Sequence, residues 1–261
     1  MQGVPIDFSA PANARTYSGR DADASWVEAV TALVDPAGSA VVDVGCGGGT
    51  YTRAWHELGA ARVIGVDSSA PILAAAREAH GSLAGVEFAA GDAAATGLPD
   101  GVADIVFARA LVHHVPDRAA VAAEAVRLLR PGGRFLVQDR TPDDVAQPGS
   151  PTNPRGWFFT VFPRLLDVEA GRRPTAPGFS ADLADGGLAE VGVTSLVEVR
   201  RRYPDREAYL AEIATRTGRS ILHDLDDDEL AHLVAELRVR LPEGPLVEQD
   251  RWTLWAGRRP S

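Results

Sequence analysis

Gly45, Gly47 and Gly49 alternate within VVDVGCGGGT, and Asp43 stands two residues ahead of the first of them. Glycines spaced in this way let a backbone turn sharply and approach a ligand closely. The run follows a short β-branched stretch and precedes a helical pattern, which is where open parallel sheets place ligands. Thr50 occupies the position at which a dinucleotide loop wants its third glycine, and the Gly-Lys-Ser/Thr of a phosphate-binding P-loop is missing. Taken alone, the run also fits a tight turn with no chemical use. A second element narrows the choice: VIGVDSS ends on Asp67, 18 residues after Gly49, about where a carboxylate accepts strong hydrogen bonds from ribose hydroxyls. A third, FAAGDAAATGLP, leaves Asp92 just beyond another strand, and a fourth, LLRPGGRFLV, puts a Pro-Gly-Gly turn ahead of a fifth strand.

Other residues could act on a substrate. His113 and His114, in ALVHHVPD, follow the fourth strand, and histidine titrates near neutrality, so the pair supplies the first candidates for a general base. Adjacent positions point differently, so at most one of the two faces a substrate. QDRTPDD places Asp139 and Arg140 at the end of the fifth strand, either as a polar pair orienting an acceptor or as a structural ion pair. Trp157, Phe158, Phe159 and Phe162 can wall an apolar acceptor, or simply pack a core at helical spacing. Cys46 reads as a small loop residue and not as a nucleophile, and His223 as a packed or surface histidine. No Asp-Pro-Pro-Tyr or Asn-Pro-Pro-Tyr motif and no Pro-Cys nucleophile points to base methylation, and no acidic or histidine cluster has metal-ligand spacing, so no metal is expected.

Positioning these residues requires regular elements on either side of each. Short β-branched runs predict strands near 40–44, 62–67, 86–90, 103–108 and 133–138, and helical patterns fall near 50–58, 70–80 and 117–129. That alternation calls for a parallel sheet covered on both faces. Ahead of it, Trp26, Val27, Val30 and Leu33 share one helical face, ended by Asp35-Pro36-Ala37-Gly38. Ser69 with Pro71, and Gly59 and Gly81, punctuate the helices. After residue 140 a proline-rich and then aromatic stretch reads as a cap. Residues 182–190 look helical, 193–203 and 248–259 look like strands, and two helices lie between those strands, the second opened by Asp226 and Glu229. The expected organisation is an N-terminal helical lid segment over 1–38, a core over 39–140, a cap insertion over 141–181, and the C-terminal part of the core with inserted helices over 182–261.

The bulk properties exclude several classes. The chain has 261 residues, 45% hydrophobic and 24% charged, within the range of one α/β domain carrying insertions. A net charge of −10 disfavours a phosphate backbone as partner. The clusters Arg172-Arg173 and Arg200-Arg201-Arg202 read as solvated faces. One cysteine excludes an intrachain disulfide, and the sequence shows neither an export signal nor a long apolar run, so a cytoplasmic protein with no membrane partner is expected.

Four motifs in this order resemble the class I S-adenosylmethionine-dependent methyltransferases, and in particular the small-molecule, type 11 branch that includes the quinone-biosynthesis C-methyltransferases. The resemblance is strong over 39–140 and weaker over 182–203 and 248–258, which look like the family's final antiparallel strand pair. It implies a Rossmann-like, seven-stranded, mostly parallel α/β sheet with helices on both faces and an inserted helical cap. It also implies S-adenosylmethionine as cofactor, with S-adenosylhomocysteine as product, and a small-molecule acceptor. On that pattern Gly45, Gly47 and Gly49, with Cys46 between them, line the methionine part; Asp67, with Ser68 beside it, holds the ribose; Asp92 accepts from the adenine amine next to Ala93; Arg109 borders the methionine tail; and Asp43 orients the loop or the cofactor ammonium. Tyr17 and Arg20 lie where the family's N-terminal helix closes over the cofactor. Substrate contacts fall to His114, Asp139, Arg140 and Trp157. The competing readings are a protein that binds the same cofactor without methyl transfer, as a cyclase, a lyase or a non-catalytic partner, and a nicotinamide oxidoreductase.

Overall fold

Valine and isoleucine fill the middle of the sheet because a strand flanked by neighbours and covered on both faces can expose almost nothing. In the computed structural model, which describes residues 22–261, β1 (Ala40–Val44) buries Val41, Val42 and Val44, and β4 (Ala103–Arg109) buries Ile105, Val106, Phe107 and Ala108. With β2 (Arg62–Asp67), β3 (Val86–Ala90), β5 (Leu129–Asp139), β6 (Ala189–Tyr203) and β7 (Leu246–Arg258) they form a seven-stranded sheet in the order β3-β2-β1-β4-β5-β7-β6. The first five strands pair in parallel, with Asp43 opposite Gly65 and Phe107, and β7 runs antiparallel to β5 from Arg134↔Arg258 to Asp139↔Thr253. Since the order reverses at β1, the chain leaves β1 and β4 in opposite directions, which opens a crevice at the carboxyl ends of those strands.

The helices begin where the local chemistry caps them. Asp23 opens α1 (Ala24–Thr31), Ser69 opens α3 (Ala70–His80) with a proline in its first turn, and Asp117 opens α4 (Arg118–Leu128). Only α2 (Thr50–Glu57) lacks a side-chain cap among these, because its N-cap is Gly49 in the left-handed region. Trp26 of α1 packs edge-on against Trp55 of α2 and Phe107 of β4, at 5.1 and 5.8 Å between ring centroids.

Three boundaries differ from the sequence expectation. Pro131-Gly132-Gly133 is an irregularity inside β5, not a turn before it, and there the register with β4 shifts between Ala103 and Ile105. The helical segment expected at 182–190 is α8, Ala176–Asp185, opened by Thr175 with a proline in its first turn. Gly186-Gly187 ends it, and β6 has begun by Ala189. The first helix stops at Thr31, so Leu33 lies beyond it.

The chain divides into two units. Residues 22–139, 174–196 and 253–261 make the sheet unit, whose core gathers Val42, Ile64, Val106, Leu128, Phe135, Phe179 and Trp255. Residues 140–173 and 197–252 make the helical unit, with α5 (Pro142–Val145), α6 (Arg155–Val161), α7 (Arg164–Gly171), α9 (Arg206–Ala214) and α10 (Asp227–Arg240). Its own core holds Phe158, Phe159, Leu165, Tyr209, Leu222 and Leu233. No helix among the described residues is long and apolar enough to cross a membrane.

Candidate functional site

The loop leaving β1 is built from left-handed backbone. Gly45, Gly47 and Gly49 have φ of +70°, +52° and +82°, a region in which a side chain costs roughly 1–2 kcal/mol. A Cβ on Gly49 would also stand 2.9 Å from the His80 ring, whereas one on Gly47 would meet nothing within 4 Å among the described residues. Gly47 therefore faces open space, and its amide is the group that reaches the neighbouring strand: it donates to Asp67 Oδ2 at 2.9 Å. Ser69 donates its amide to Asp67 Oδ1, also at 2.9 Å. The Asp67 carboxylate is thus fixed by one amide on each oxygen, and each oxygen keeps further acceptor capacity for a ligand. This open cradle beside a pre-aimed carboxylate fits the ribose and methionine parts of an adenosyl cofactor. Ser68 next to it is exposed.

Behind the loop, Asp43 is buried and accepts the Thr52 hydroxyl at 2.6 Å, which ties the end of β1 to the first turn of α2. Burial pushes its carboxyl up to about 7, against the pull of Thr52, while Asp67 adds to the rise and Arg109 opposes it. Cys46 is buried within the loop, and burial raises its thiol well above the usual range, so it is no nucleophile at neutral pH. Asp92, exposed, accepts from the amide of Ala94 at 2.8 Å, and Ala93 packs partly against the sheet core. The Arg109 guanidinium lies 4.5 Å above the Tyr51 ring.

After Arg109 the chain makes a strained turn. Ala110 has φ +51° and donates its amide to the Gln138 carbonyl at 2.8 Å, and a 3-10 turn over Val112–His114 follows. The turn delivers His113 to Asp139: Nδ1 lies 2.9 Å from both carboxylate oxygens, and Asp139 is fully buried. The buried carboxylate engages Nδ1 and so sets the ring's orientation. His114 is exposed, with its ring 4.0 Å from that of His113.

Asp139 is taken up by His113, and Arg140 has partners of its own. Successive residues at a strand end point to opposite sides, and Arg140 pairs with Asp250 and lies over the Trp252 ring. In the aromatic segment Phe158 and Phe159 are core residues of the helical unit, while half-buried Trp157 covers the backbone at Gly149. Tyr17 and Arg20 lie outside the described residues. His223 is exposed.

The arginine clusters are solvated faces only in part. Arg173 is buried, Arg200 is half-buried with its side chain largely enclosed, and Arg201 and Arg202 face solvent. Fully buried Glu169 accepts from Arg155, Arg172 and Arg173, while Asp250 accepts from Arg140 and Arg200. Burial opposes the charge of Glu169, but the three guanidiniums outweigh it and hold the carboxyl well below the usual range; Asp250 behaves likewise under Arg140, Arg200 and Arg155. This network escapes a sequence reading because its partners are dispersed along the chain. The one available signal was the local spacing of Glu169 to Arg172 and Arg173, three and four residues apart.

Comparison with known proteins bears on the sheet unit and its fold. Residues 42–137 match the family model described as a methyltransferase domain. The chain is 34% identical over 161 residues to 2-methyl-6-phytyl-1,4-hydroquinone methyltransferase of Synechocystis, covering 61% of this chain and 49% of that one. It is 42% identical over 102 residues to trans-aconitate 2-methyltransferase of Azoarcus, 38% of each chain. The chain therefore spans less than half the length of these curated relatives. Among solved structures, phosphoethanolamine N-methyltransferase 2 of Haemonchus contortus shares the fold at a TM-score of 0.61 and 18% identity, over 98% of this chain and 61% of that one.

Proposed function

We propose that this chain, which carries a methyltransferase domain of the S-adenosylmethionine-dependent kind over residues 42–137, transfers a methyl group from S-adenosylmethionine to an oxygen, nitrogen or carbon of a small-molecule acceptor. The observation that carries the reading is the Asp67 carboxylate, held between the amides of Gly47 and Ser69 beside the open side of Gly47. When bound, the cofactor supplies a methyl group already activated on a sulfonium. What remains for the protein is alignment, which can lower a barrier by ~7–11 kcal/mol in favourable cases.

Gly45, Gly47 and Gly49 hold the methionine part, Asp67 takes the ribose hydroxyls, Asp92 and Ala93 border the adenine, and Arg109 borders the amino-acid tail. Asp43 keeps the loop in place through Thr52. His113 takes the acceptor's proton at Nε2, with Asp139 holding Nδ1, and His114 borders the acceptor. The homologues named above act on a hydroquinone and on trans-aconitate, which supports a small acceptor over a macromolecule.

Calorimetry with S-adenosylmethionine, S-adenosylhomocysteine and NAD tests the cofactor, and preference for NAD sinks the reading. Methyl transfer to a metabolite library from labelled donor then tests the chemistry. Replacing His113 by Asn is expected to lower kcat by about 10²–10⁴-fold with the donor KM unchanged. An unaltered kcat removes it from proton transfer.

A further inference from the structure

The helical unit carries a half-open cavity of about 260 Å³ that the chemistry above leaves unassigned. Three arginines, Arg140, Arg155 and Arg251, line it against two carboxylates, Asp144 and Asp250. Asp250 is taken by Arg140 and Arg200, and Asp144 by Arg251 at 3.3 Å and by the amide and hydroxyl of Thr141. Arg155 is the under-compensated member. Its contact with Glu169 is 3.3 Å from Nη2, and the same carboxylate is held more closely by Arg172 and Arg173. The residue is 9% exposed, and its buried Nε has no hydrogen-bond partner among the described residues. Burial lowers its guanidinium to about 9, Glu169 pulling the other way and Arg140 adding to the fall. A buried cation left in this state is costly unless a further anion meets it.

The rest of the lining is held by hydrogen bonds. Asn153 donates its side-chain amide to the carbonyls of Gln147 and Pro148 at 3.1 and 3.0 Å, and its backbone amide to Ser150 Oγ at 2.9 Å. Gln249 donates its amide to the Thr152 carbonyl at 2.7 Å. The Ser150 and Thr152 hydroxyls, 3.2 Å apart, are thereby held at the cavity edge. Guanidinium forks match carboxylate and phosphate oxygens in pairs, and hydroxyls complete such sites.

We propose that this cavity binds a small molecule through an oxoanion group, a carboxylate or a phosphate, with Arg155 as the principal cation and Arg140 and Arg251 beside it. The volume lies just below the ~300 Å³ at which ligand pockets commonly begin, so the occupant is metabolite-sized. The assignment stands apart from the methyl-transfer reading, since binding is measured without a methyl donor.

Calorimetry on the whole chain with sodium phosphate and sodium malonate, at ionic strength held constant with chloride, is expected to show one site of millimolar affinity or better. Arg155→Gln is expected to weaken it at least tenfold and Arg155→Lys to restore part of it. A tenfold preference for phosphate assigns a phosphoryl group, and the reverse a carboxylate. Binding of neither probe, or unchanged affinity in a folded Arg155→Gln variant, overturns the proposal. Should that variant not fold, wild-type crystals soaked in selenate decide: an anomalous peak within hydrogen-bonding distance of Arg155 supports the site, and a peak elsewhere or none refutes it.

Discussion

Asp43 in the sheet unit and Glu169 in the helical unit are both buried carboxylates, and they meet burial differently. Asp43 has neutral donors, the hydroxyl and the backbone amide of Thr52, and its carboxyl rises to about 7. Glu169 has three guanidiniums and its carboxyl falls. Neutral donors on one side do not replace the hydration of a carboxylate, whereas converging guanidiniums over-compensate it. The sheet unit therefore keeps one carboxylate behind its glycine loop with neutral partners, and the helical unit sets paired charges in its interior.

The largest effect that tests this contrast lies in the helical unit. Glu169→Ala strands three cations, two of them buried with it, and is expected to cost about 3–5 kcal/mol by chemical denaturation; a loss below 1 kcal/mol would mean that the arginines find other partners. Next comes pH. The raised Asp43 makes its contribution to stability below pH ~4 and loses it as pH rises through about 7, a swing of up to ~4 kcal/mol. Asp43→Asn should flatten that slope and be more stable than the wild type at pH 8. Glu169 and Asp250, held low, contribute above pH ~4 and lose that contribution as pH falls through their depressed values. Denaturation at pH 3, 5 and 8 separates the two trends, and parallel curves for Asp43→Asn and wild type would erase the distinction. Asp67→Ala is expected to weaken binding of S-adenosylmethionine by ~1–3 kcal/mol, with calorimetric affinity unchanged if the carboxylate does not touch the ribose. The smallest effect is Gly47→Ala: with open space around the site only the left-handed backbone opposes it, so ~1–2 kcal/mol of stability is lost.

Much of the sheet unit was legible in the sequence. The five parallel strands fall within a few residues of the expected runs, because central strands read as unbroken apolar stretches and their helices carry local caps. The glycine loop and Asp67 were legible for the same reason, as a short segment whose turn chemistry demands glycine. The pairing of His113 with Asp139 was not, although both residues were candidates. It depends on the register of β4 and β5 and on the strained turn at Ala110.

The order of amino acids alone determined the strand and helix sequence, the glycine loop and the acidic residue one strand over, since each is a contest among neighbours a few positions apart. The tertiary structure decided which charges are buried and what meets them. Arg140 and Asp250 stand more than a hundred residues apart, and Arg173 differs from a surface arginine only by the carboxylate it finds. Burial of charge is a property of the assembled interior, where the cost of desolvation and its compensation are set by partners that no local pattern specifies.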